Sequence, residues 1–402
     1  MPSQENYAIR PLNTGDVEQY NALLRYAFQI TEQELSECGW QDDEIKQSKF
    51  PVLERADVLG CFDGNDLVSQ IAVYPLKMNI YGVVYPVGFV TSVCTYPEYS
   101  GRGIMKRLMH QSLEHMRQRQ QPVALLFPYS IPLYRKMGWE IISNKISYTV
   151  KDRQIPSQLQ APGRVHRVNW DNEDFRNLHA QFAAATHGCL FRNALAWEEY
   201  WRWDEDDTVV AIYYDAAGKP SGYMVYLIKD DIMYVKEMIY LTREAQQGLW
   251  EYIHAHDSMI DEVRGSSYYS DPIAFELDDG DIRETIRPYI MGRIVDAEQF
   301  FPKYRCDPTA ENVTIAFEIE DHFLPWNNKT VTVLFHRGEC SLSAAAAKHH
   351  VKLSIATLTA LMLGYKTATK LQRLGRIEGE DRTIRLLDDV LLHEAPYISD
   401  YI

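Results

Sequence analysis

Residues 98–107 read Glu-Tyr-Ser-Gly-Arg-Gly-Ile-Met-Lys-Arg and combine two glycines with three cationic side chains. Glycine lets the backbone pass close to a ligand. The free N–H groups at the start of a following helix favour an anion, and Arg102, Lys106 and Arg107 add positive charge there. The stretch therefore predicts a diphosphate site. Its spacing is neither GxGxxG nor GxxxxGKS/T, which argues against dinucleotide-binding and P-loop sites.

A second candidate is Tyr134, in the stretch Leu-Tyr-Arg-Lys-Met-Gly-Trp. A tyrosine in such a position belongs to a core or interface more often than to an active site. Cys94 lies in a strand and is more typical of a small buried hydrophobe than of a nucleophile. Two histidine clusters, 254–257 and 349–350, lack the further ligands that a zinc site needs. We therefore predict no metal site.

The elements around the glycines must position them. Residues 90–95 carry β-forming side chains and end at Tyr-Pro, which predicts a strand. Apolar residues then recur at helical spacing from Ile104 to Met116. Residues 125–130 predict another strand that runs into a turn. The aromatic face of residues 197–201 fits either a core or the wall of a substrate cavity that holds a cationic amine.

Length and composition limit the number of domains and the class of protein. The chain has 402 residues, of which 46% are hydrophobic, and a net charge of −15, so it can form two or three domains. There is no run of eighteen apolar residues, and the polar start predicts no signal peptide. Six scattered cysteines indicate reduced thiols in a cytoplasmic protein. The acidic balance argues against nucleic acid and favours a cationic partner.

The pattern of elements divides the chain into segments 1–150, 151–287 and 288–402. The second repeats the plan of the first, but residues 241–245 have no glycine where the loop would stand. We interpret it as a degenerate copy, with an unrelated α/β domain as the alternative. In the third segment we predict a small α+β unit, with strands over 313–319, 330–336 and 351–355. Helices are expected over 341–347, 357–363, 366–373 and 383–392.

The strand–loop–helix resembles the acetyl-CoA loop of Gcn5-related N-acetyltransferases (GNAT), whose pattern is Arg/Gln-x-x-Gly-x-Gly/Ala. Gly103 matches the central glycine. Ser100 and Met105 depart from the pattern, with an effect on CoA affinity that the sequence does not give. Both departures keep the main-chain N–H groups, which are the groups that mainly hold a pyrophosphate. The stretch from Tyr134 to Trp139 is similar to the Tyr-x-x-x-Gly-Trp/Phe motif that follows the fifth strand of that superfamily.

The three-part order resembles the Eis-like (enhanced intracellular survival) acetyltransferases over nearly the whole chain. The resemblance implies an α/β fold with tandem GNAT domains, each with a mixed central sheet, the second one degenerate. It also implies a sterol-carrier-protein-like α+β domain at the end, and a homohexamer built as a dimer of trimers. Residues 291–296 and the chain end at 395–402 carry further similarity. Family members end in an aromatic residue, often Phe, whereas this chain ends in Ile402.

The resemblance also implies roles for particular residues. Tyr134 would be the general acid that protonates the CoA thiolate, and the α-carboxylate of Ile402 would be the general base. Acetyl-CoA would bind, with no metal, to a set of residues on the strand, the loop and the next turn: Val93, Cys94, Thr95, Gly101, Arg102, Gly103, Ile104, Met105, Lys106, Tyr129 and Ser130.

We therefore predict an N-acetyltransferase whose acceptor is a primary amine of an aminoglycoside, polyamine or lysine. The alternatives are a lipid or small-molecule carrier built on the last domain, and an inactive binding scaffold. The glycine loop and Tyr134 favour the enzyme. The sequence identifies neither the acceptor nor any ligand of the last domain.

Overall fold

The computed structural model describes residues 7–37, 39–157, 159–202, 207–269 and 272–402. Its strands in chain order are β1 (Ala8–Pro11), β2 (Asp57–Asp63), β3 (Asp66–Ile80), β4 (Val83–Thr95), β5 (Val123–Leu126), β6 (Glu140–Ile141), β7 (Asn144–Lys151), β8 (Arg164–Val168), β9 (Leu190–Phe191), β10 (Val209–Tyr214), β11 (Pro220–Lys229), β12 (Ile232–Tyr240), β13 (Glu262–Ser267), β14 (Arg283–Pro288), β15 (Met291–Ile294), β16 (Val313–Glu320), β17 (Thr330–His336), β18 (Glu339–Leu342), β19 (His349–Ser354) and β20 (Ile377–Gly379).

The helices are α1 (Val17–Phe28), α2 (Glu32–Glu37), α3 (Asp42–Gln47), α4 (Phe50–Arg55), α5 (Ile104–Gln118), α6 (Ile131–Arg135), α7 (Glu173–Ala185), α8 (Ala194–Trp201), α9 (Arg243–His254), α10 (Ala297–Phe300), α11 (Ile355–Met362), α12 (Ala368–Arg373) and α13 (Asp381–Val390). Within the described ranges, no helix has the length and hydropathy needed to cross a membrane.

The strands form three mixed sheets. The first has the order β1-β2-β3-β4-β5-β15-β6, with β9 paired to β3. Its long β3–β4 hairpin turns on Tyr81 and Gly82, which both have left-handed φ angles of 50° and 81°, as a tight two-residue turn requires. Helix α5 packs its apolar face on β2, β3 and β4. This is the strand–loop–helix unit that the sequence predicts.

The second sheet has the order β14-β7-β13-β12-β11-β10-β8. Helix α9 follows β12 without a glycine loop, and the side chain of Thr242 caps its first turn by accepting from the N–H of Ala245. The first two sheets exchange strands: β7 lies in the second sheet, and β15 lies between β5 and β6 of the first. The boundaries at 150 and 287 stay a prediction, and both exchanged strands lie close to them.

The third sheet has the order β18-β17-β16-β19-β20, with α11, α12 and α13 packed against it. The prediction of a helix over 341–347 is wrong. Residues 339–342 form strand β18, in which Leu342 pairs with Val333, and no helix follows before β19. The four alanines there favour a helix, but pairing with β17 overrides that preference. Residues Phe323 and Leu324 of this segment join the buried cluster around α5.

Candidate active site

Strands β4 and β5 run parallel and then separate. Their pairing covers Val87–Val90 against β5 and ends where Val90 meets Leu126, although β4 continues to Thr95. A bulge interrupts the β3–β4 ladder at this point. Ser92 has a left-handed φ of 54°, and the Tyr20 hydroxyl donates to its Oγ at 3.0 Å. The bulged end of β4 therefore offers its edge to a ligand rather than to β5.

The glycine loop joins β4 to α5. Gly101 and Gly103 have φ angles of 76° and 75°, and Gly103 is the N-cap of α5. Among the described residues, no atom lies within 4 Å of where a Cβ would stand on either glycine. The loop thus has open space beside two glycines with left-handed backbone, and it leads into the N-terminus of a fifteen-residue helix. The arrangement fits an extended diphosphate held by main-chain N–H groups.

The cations of this loop differ in their contacts. Arg102 donates to the Tyr7 hydroxyl at 2.5 Å and to the carbonyl of Glu98 at 3.0 Å. The Lys106 ammonium lies 5.9 Å from the ring centre of Phe323. Arg102 thus helps to fix the loop to β1 and to the turn that precedes it. Lys106, in the first turn of α5, lies near Phe323 of the third segment.

Tyr134 lies on α6, which begins directly after the turn that follows β5. Its side chain is 6% exposed, and in the described part of the chain its hydroxyl has no hydrogen-bond partner. Burial, and to a lesser degree the nearby Cys94, raise the pKa of Tyr134 to about 12. The phenol is therefore protonated at neutral pH and has a proton to donate. Burial also raises the pKa of the Cys94 thiol far above its usual range, which makes Cys94 a poor nucleophile.

The Gly-Trp motif has a packing explanation. Gly138 has a φ of 81°, and a Cβ there would overlap the guanidinium of Arg293. That guanidinium is fully buried, donates to the Met137 carbonyl, and pairs with Asp321 at 2.5 Å. Strand β15 and the third segment therefore fix the turn that follows Tyr134.

The chain end is anchored by a buried ion network. Arg192 donates to Asp400 at 2.6 Å and to both carboxylate oxygens of Glu237 at 2.6 and 3.0 Å. The Ser399 hydroxyl donates to Glu237 at 2.8 Å, and the Tyr289 hydroxyl donates to the Asp400 carbonyl at 3.2 Å. The last residues of the chain are therefore held against the second sheet.

Two carboxylates share the one Arg192 charge, and they respond differently. Burial opposes ionisation of Glu237, but the charge and hydrogen bonds of Arg192 outweigh it and lower the pKa of Glu237 to about 2. For Asp400, burial wins and raises the pKa above its usual value, although Arg192 acts in the opposite direction. Asp400 Oδ2 is buried without a hydrogen bond. Asp400 is therefore the weaker partner of Arg192.

Beyond the anchor, the chain reaches the first sheet. The ring of Tyr401 lies 5.0 Å from that of Phe127, the residue directly after β5. Ile402 is partly buried against the core. The end of the chain and the open edge of β4 thus lie at the same end of the first sheet, on the two sides of the β5 terminus.

A cavity of about 610 Å³ opens beside this contact. Its floor is a face of the second sheet, and its walls come from α8, β14 and the chain end. Tyr200 lines it, and Trp197, Tyr200 and Trp201 all pack against the core. The core role predicted for the aromatic face of α8 is thus confirmed, while its role as the wall of a substrate cavity stays a prediction. The lining residues are Phe127, Lys145, Ser147, Glu199, Tyr200, Val235, Lys236, Glu237, Ser266, Tyr268, Arg287, Pro288, Tyr289, Ser399 and Tyr401.

The structure gathers the predicted site residues at one end of the first sheet, because β4 and β5 are parallel and both end there. Tyr129 is 98% exposed, and Ser130 is the N-cap of α6. Sequence reasoning missed Phe127, Arg192 and Glu237. Their signals in the sequence are an aromatic residue after a strand and charged residues within largely apolar stretches. In the described ranges, no group of three His, Cys, Asp or Glu side chains is placed to hold a metal ion.

Comparison with known families divides the chain into three matches. Residues 8–142 and residues 188–294 each match a family described as "Acetyltransferase (GNAT) domain". Residues 297–399 match the family described as "Sterol carrier protein domain". The chain is a tandem GNAT protein with a sterol carrier domain. The tandem GNAT protein is thus an acetyl-transferring enzyme of Eis-like domain order, and its GNAT fold implies the use of acetyl-CoA.

Relatives of the tandem GNAT protein share the full length. An uncharacterized N-acetyltransferase of Streptomyces avermitilis is 23% identical, with both chains covered completely. A crystal structure of a probable N-acyltransferase from Enterococcus faecalis is 26% identical, with a TM-score of 0.90 over 99% of this chain and 100% of that one. Eis1 of Mycobacterium abscessus has a TM-score of 0.81 at 19% identity, over 98% of this chain and 100% of that one, which shows a common fold.

Proposed function

We propose that this protein transfers the acetyl group of acetyl-CoA to a primary amine by direct attack in the first GNAT domain. The observation that carries the proposal is the contact between Tyr401 and Phe127. It brings the end of the chain close to the point where β4 and β5 separate. The helix that carries the buried Tyr134, α6, begins after the turn that follows β5. The proposed base at Ile402, the open edge of β4 and the proposed acid Tyr134 thus come from three different parts of the sequence.

The glycine loop and the open edge of β4 are proposed to bind the CoA. Main-chain N–H groups at Gly101–Lys106 would bind the diphosphate, assisted by the positive end of α5. Residues Val93, Cys94 and Thr95 would bind the thioester arm along the unpaired edge. The N–H of Val93 would donate to the carbonyl oxygen as it gains negative charge.

In this reaction the amine nitrogen must lose two protons and the sulfur must gain one. An alkyl amine has a pKa of about 10.4 and is mostly protonated at neutral pH, so a base has to remove a proton. We assign this role to the α-carboxylate of Ile402, which is one residue beyond the contact with Phe127. The neutral amine would then attack the thioester carbon, and Tyr134 would donate its proton to the sulfur as the carbon–sulfur bond breaks. The second proton lost by the acylated nitrogen would restore the phenol of Tyr134. The products are then the N-acetylated amine and the free CoA thiol.

The experiment that tests the proposal measures thiol release from acetyl-CoA with a panel of primary amines. Proteins extended by a few residues at the C-terminus and at the N-terminus should be compared with the native chain. C-terminal extension replaces the terminal carboxylate by a peptide carbonyl and should lower kcat strongly, whereas N-terminal extension should leave it unchanged. Equal activity of both extended proteins contradicts the role of Ile402. Thiol release from none of the amines, together with lipid binding, would favour the carrier function instead.

A further inference from the structure

The floor of the cavity has an unusual pair of like charges. Lys145 on β7 and Arg287 on β14 lie directly opposite each other in the antiparallel ladder, and both line the cavity. Like charges in that position destabilise a sheet. Neither side chain forms an ion pair with a carboxylate in the described part of the chain. The two cations therefore repel each other and lack a protein anion between them.

The carboxylates of the cavity do not supply that anion. Glu199 is bound by the Tyr74 hydroxyl at 2.7 Å and by Arg202 at 2.7 Å. Glu237 is bound by Arg192 on both oxygens. Each of these two glutamates is thus already paired with a buried arginine. Although the whole chain has a net charge of −15, the open positions in this cavity are cationic.

The surroundings of Lys145 fit a ligand site. Its ammonium lies 5.8 Å from the ring centre of Tyr268 and 5.9 Å from that of Tyr289. Burial of its side chain lowers its pKa from the usual value. A half-buried lysine beside two adjacent aromatic rings is desolvated, and an arriving anion would restore part of the lost interaction.

We propose that the acceptor amine of this enzyme also carries an anionic group, a carboxylate or a phosphate, which binds between Lys145 and Arg287. This inference rests on the proposed function, because the same cavity would deliver the amine to the chain end. It replaces the cationic acceptor expected from net charge with a zwitterionic one. The aromatic walls favour an acceptor with an apolar or aromatic body.

The test compares pairs of amines that differ in the anion. Phenylalanine with phenethylamine and lysine with cadaverine test a carboxylate, and phosphoethanolamine with ethanolamine tests a phosphate. We expect the anionic member of at least one pair to have the higher kcat/KM, by roughly 10- to 100-fold, the range for charge-assisted contacts. The ratio should fall towards one in Lys145→Met and Arg287→Gln, mainly through KM. Comparing ratios between variants cancels the intrinsic reactivity of each amine.

Arg283→Gln is the matched control, since Arg283 lies on the same strand opposite Thr149 and outside this cavity. It should keep the preference. The melting temperature gives a second readout, because removing one of two opposed cations should not lower it. Equal kcat/KM within every pair, or a preference that survives in the double variant Lys145→Met/Arg287→Gln, would overturn the inference and leave the proposed function intact.

If no amine releases thiol, the proposed function fails, and a binding titration still decides the inference. The probes are N-acetylphenylalanine and its amide, which differ only in the carboxylate. Tighter binding of the acid to the native protein, lost in Lys145→Met, supports the anion site. Equal binding of the two probes contradicts it.

Discussion

Replacing Arg192 by methionine should release the end of the chain. The substitution removes the one positive charge between Asp400 and Glu237, and methionine keeps a side chain that can pack against Tyr200, whose ring lies 4.1 Å from the guanidinium. Glu237 lies inside a seven-stranded sheet and cannot leave. Asp400 is third from the end of the chain and can move into water. The tail is therefore the part that responds.

The magnitude follows from the burial of the network. The side chains of Arg192, Glu237 and Asp400 are 0%, 2% and 3% exposed. Removing one partner of a buried ion pair costs about 3–5 kcal/mol, because a charge remains without compensation. Since the tail can leave, the global loss should lie near the lower end of this range. Loss of the positioned carboxylate of Ile402 should reduce kcat by roughly 10²–10⁴, the contribution of a general base.

Three measurements test this prediction: urea unfolding, the rate at which a carboxypeptidase removes residues 401–402, and kcat with the affinity for acetyl-CoA. We expect lower stability, faster cleavage and lower kcat, with unchanged affinity, because the CoA loop lies in the first sheet. Asp400→Asn is the control; it keeps the bonds between Arg192 and Glu237 and should have a smaller effect. An Arg192→Met protein with native cleavage rate and native kcat would refute the argument that this network positions the chain end.

Other predictions concern the acid, the loop and the response to pH. Tyr134→Phe should lower kcat by roughly 10²–10⁴ with little change in acetyl-CoA affinity. Because the pKa of Tyr134 is raised to about 12, ionisation of Tyr134 should not lower the kcat of the native enzyme below pH 10. Gly103→Val should abolish acetyl-CoA binding in calorimetry while the fold persists, because φ is 75° at this position and the side chain would fill the open space; unchanged affinity would contradict the loop assignment. Burial lowers the pKa of His187 to about 4. The contribution of His187 to the unfolding free energy should therefore fall by about 3 kcal/mol as pH drops from 6.5 towards 4. Urea unfolding at several pH values should show a weaker pH dependence for the His187→Gln protein.

The sign of the pH effect follows from the burial of His187, supported by one of its two hydrogen bonds. Its Nδ1 accepts from the N–H of Tyr81 at 3.2 Å, and its Nε2 donates to the carbonyl of Leu363 at 3.1 Å. The bond at Nδ1 requires the neutral ring, because a protonated Nδ1 cannot accept. The bond at Nε2 favours the charged ring, but burial outweighs it. The folded state therefore binds its proton at lower pH than the unfolded chain does, and the stability that is present above pH 6.5 is lost as pH falls through the folded pKa.

Local patterns in the sequence carried the prediction of the strand–loop–helix unit. The glycines of the loop and the apolar spacing of α5 act within a few residues, so their signals are visible without a fold. The same kind of reasoning failed at residues 341–347. There, pairing with the partner strand β17 overrides the helix preference of the alanines.

The tertiary structure alone decided the features that join distant parts of the chain. The pairing of Lys145 with Arg287 depends on the exchange of β7 into the second sheet, and a shift of one residue would move both charges away from the cavity. The anchor of the chain end joins Arg192 to Asp400, 208 residues later. Register and burial set these contacts, and both depend on the packing of whole sheets. The sequence by itself thus determined the elements of the glycine loop, whereas the fold decided which charges remain unpaired in the cavity beside the chain end.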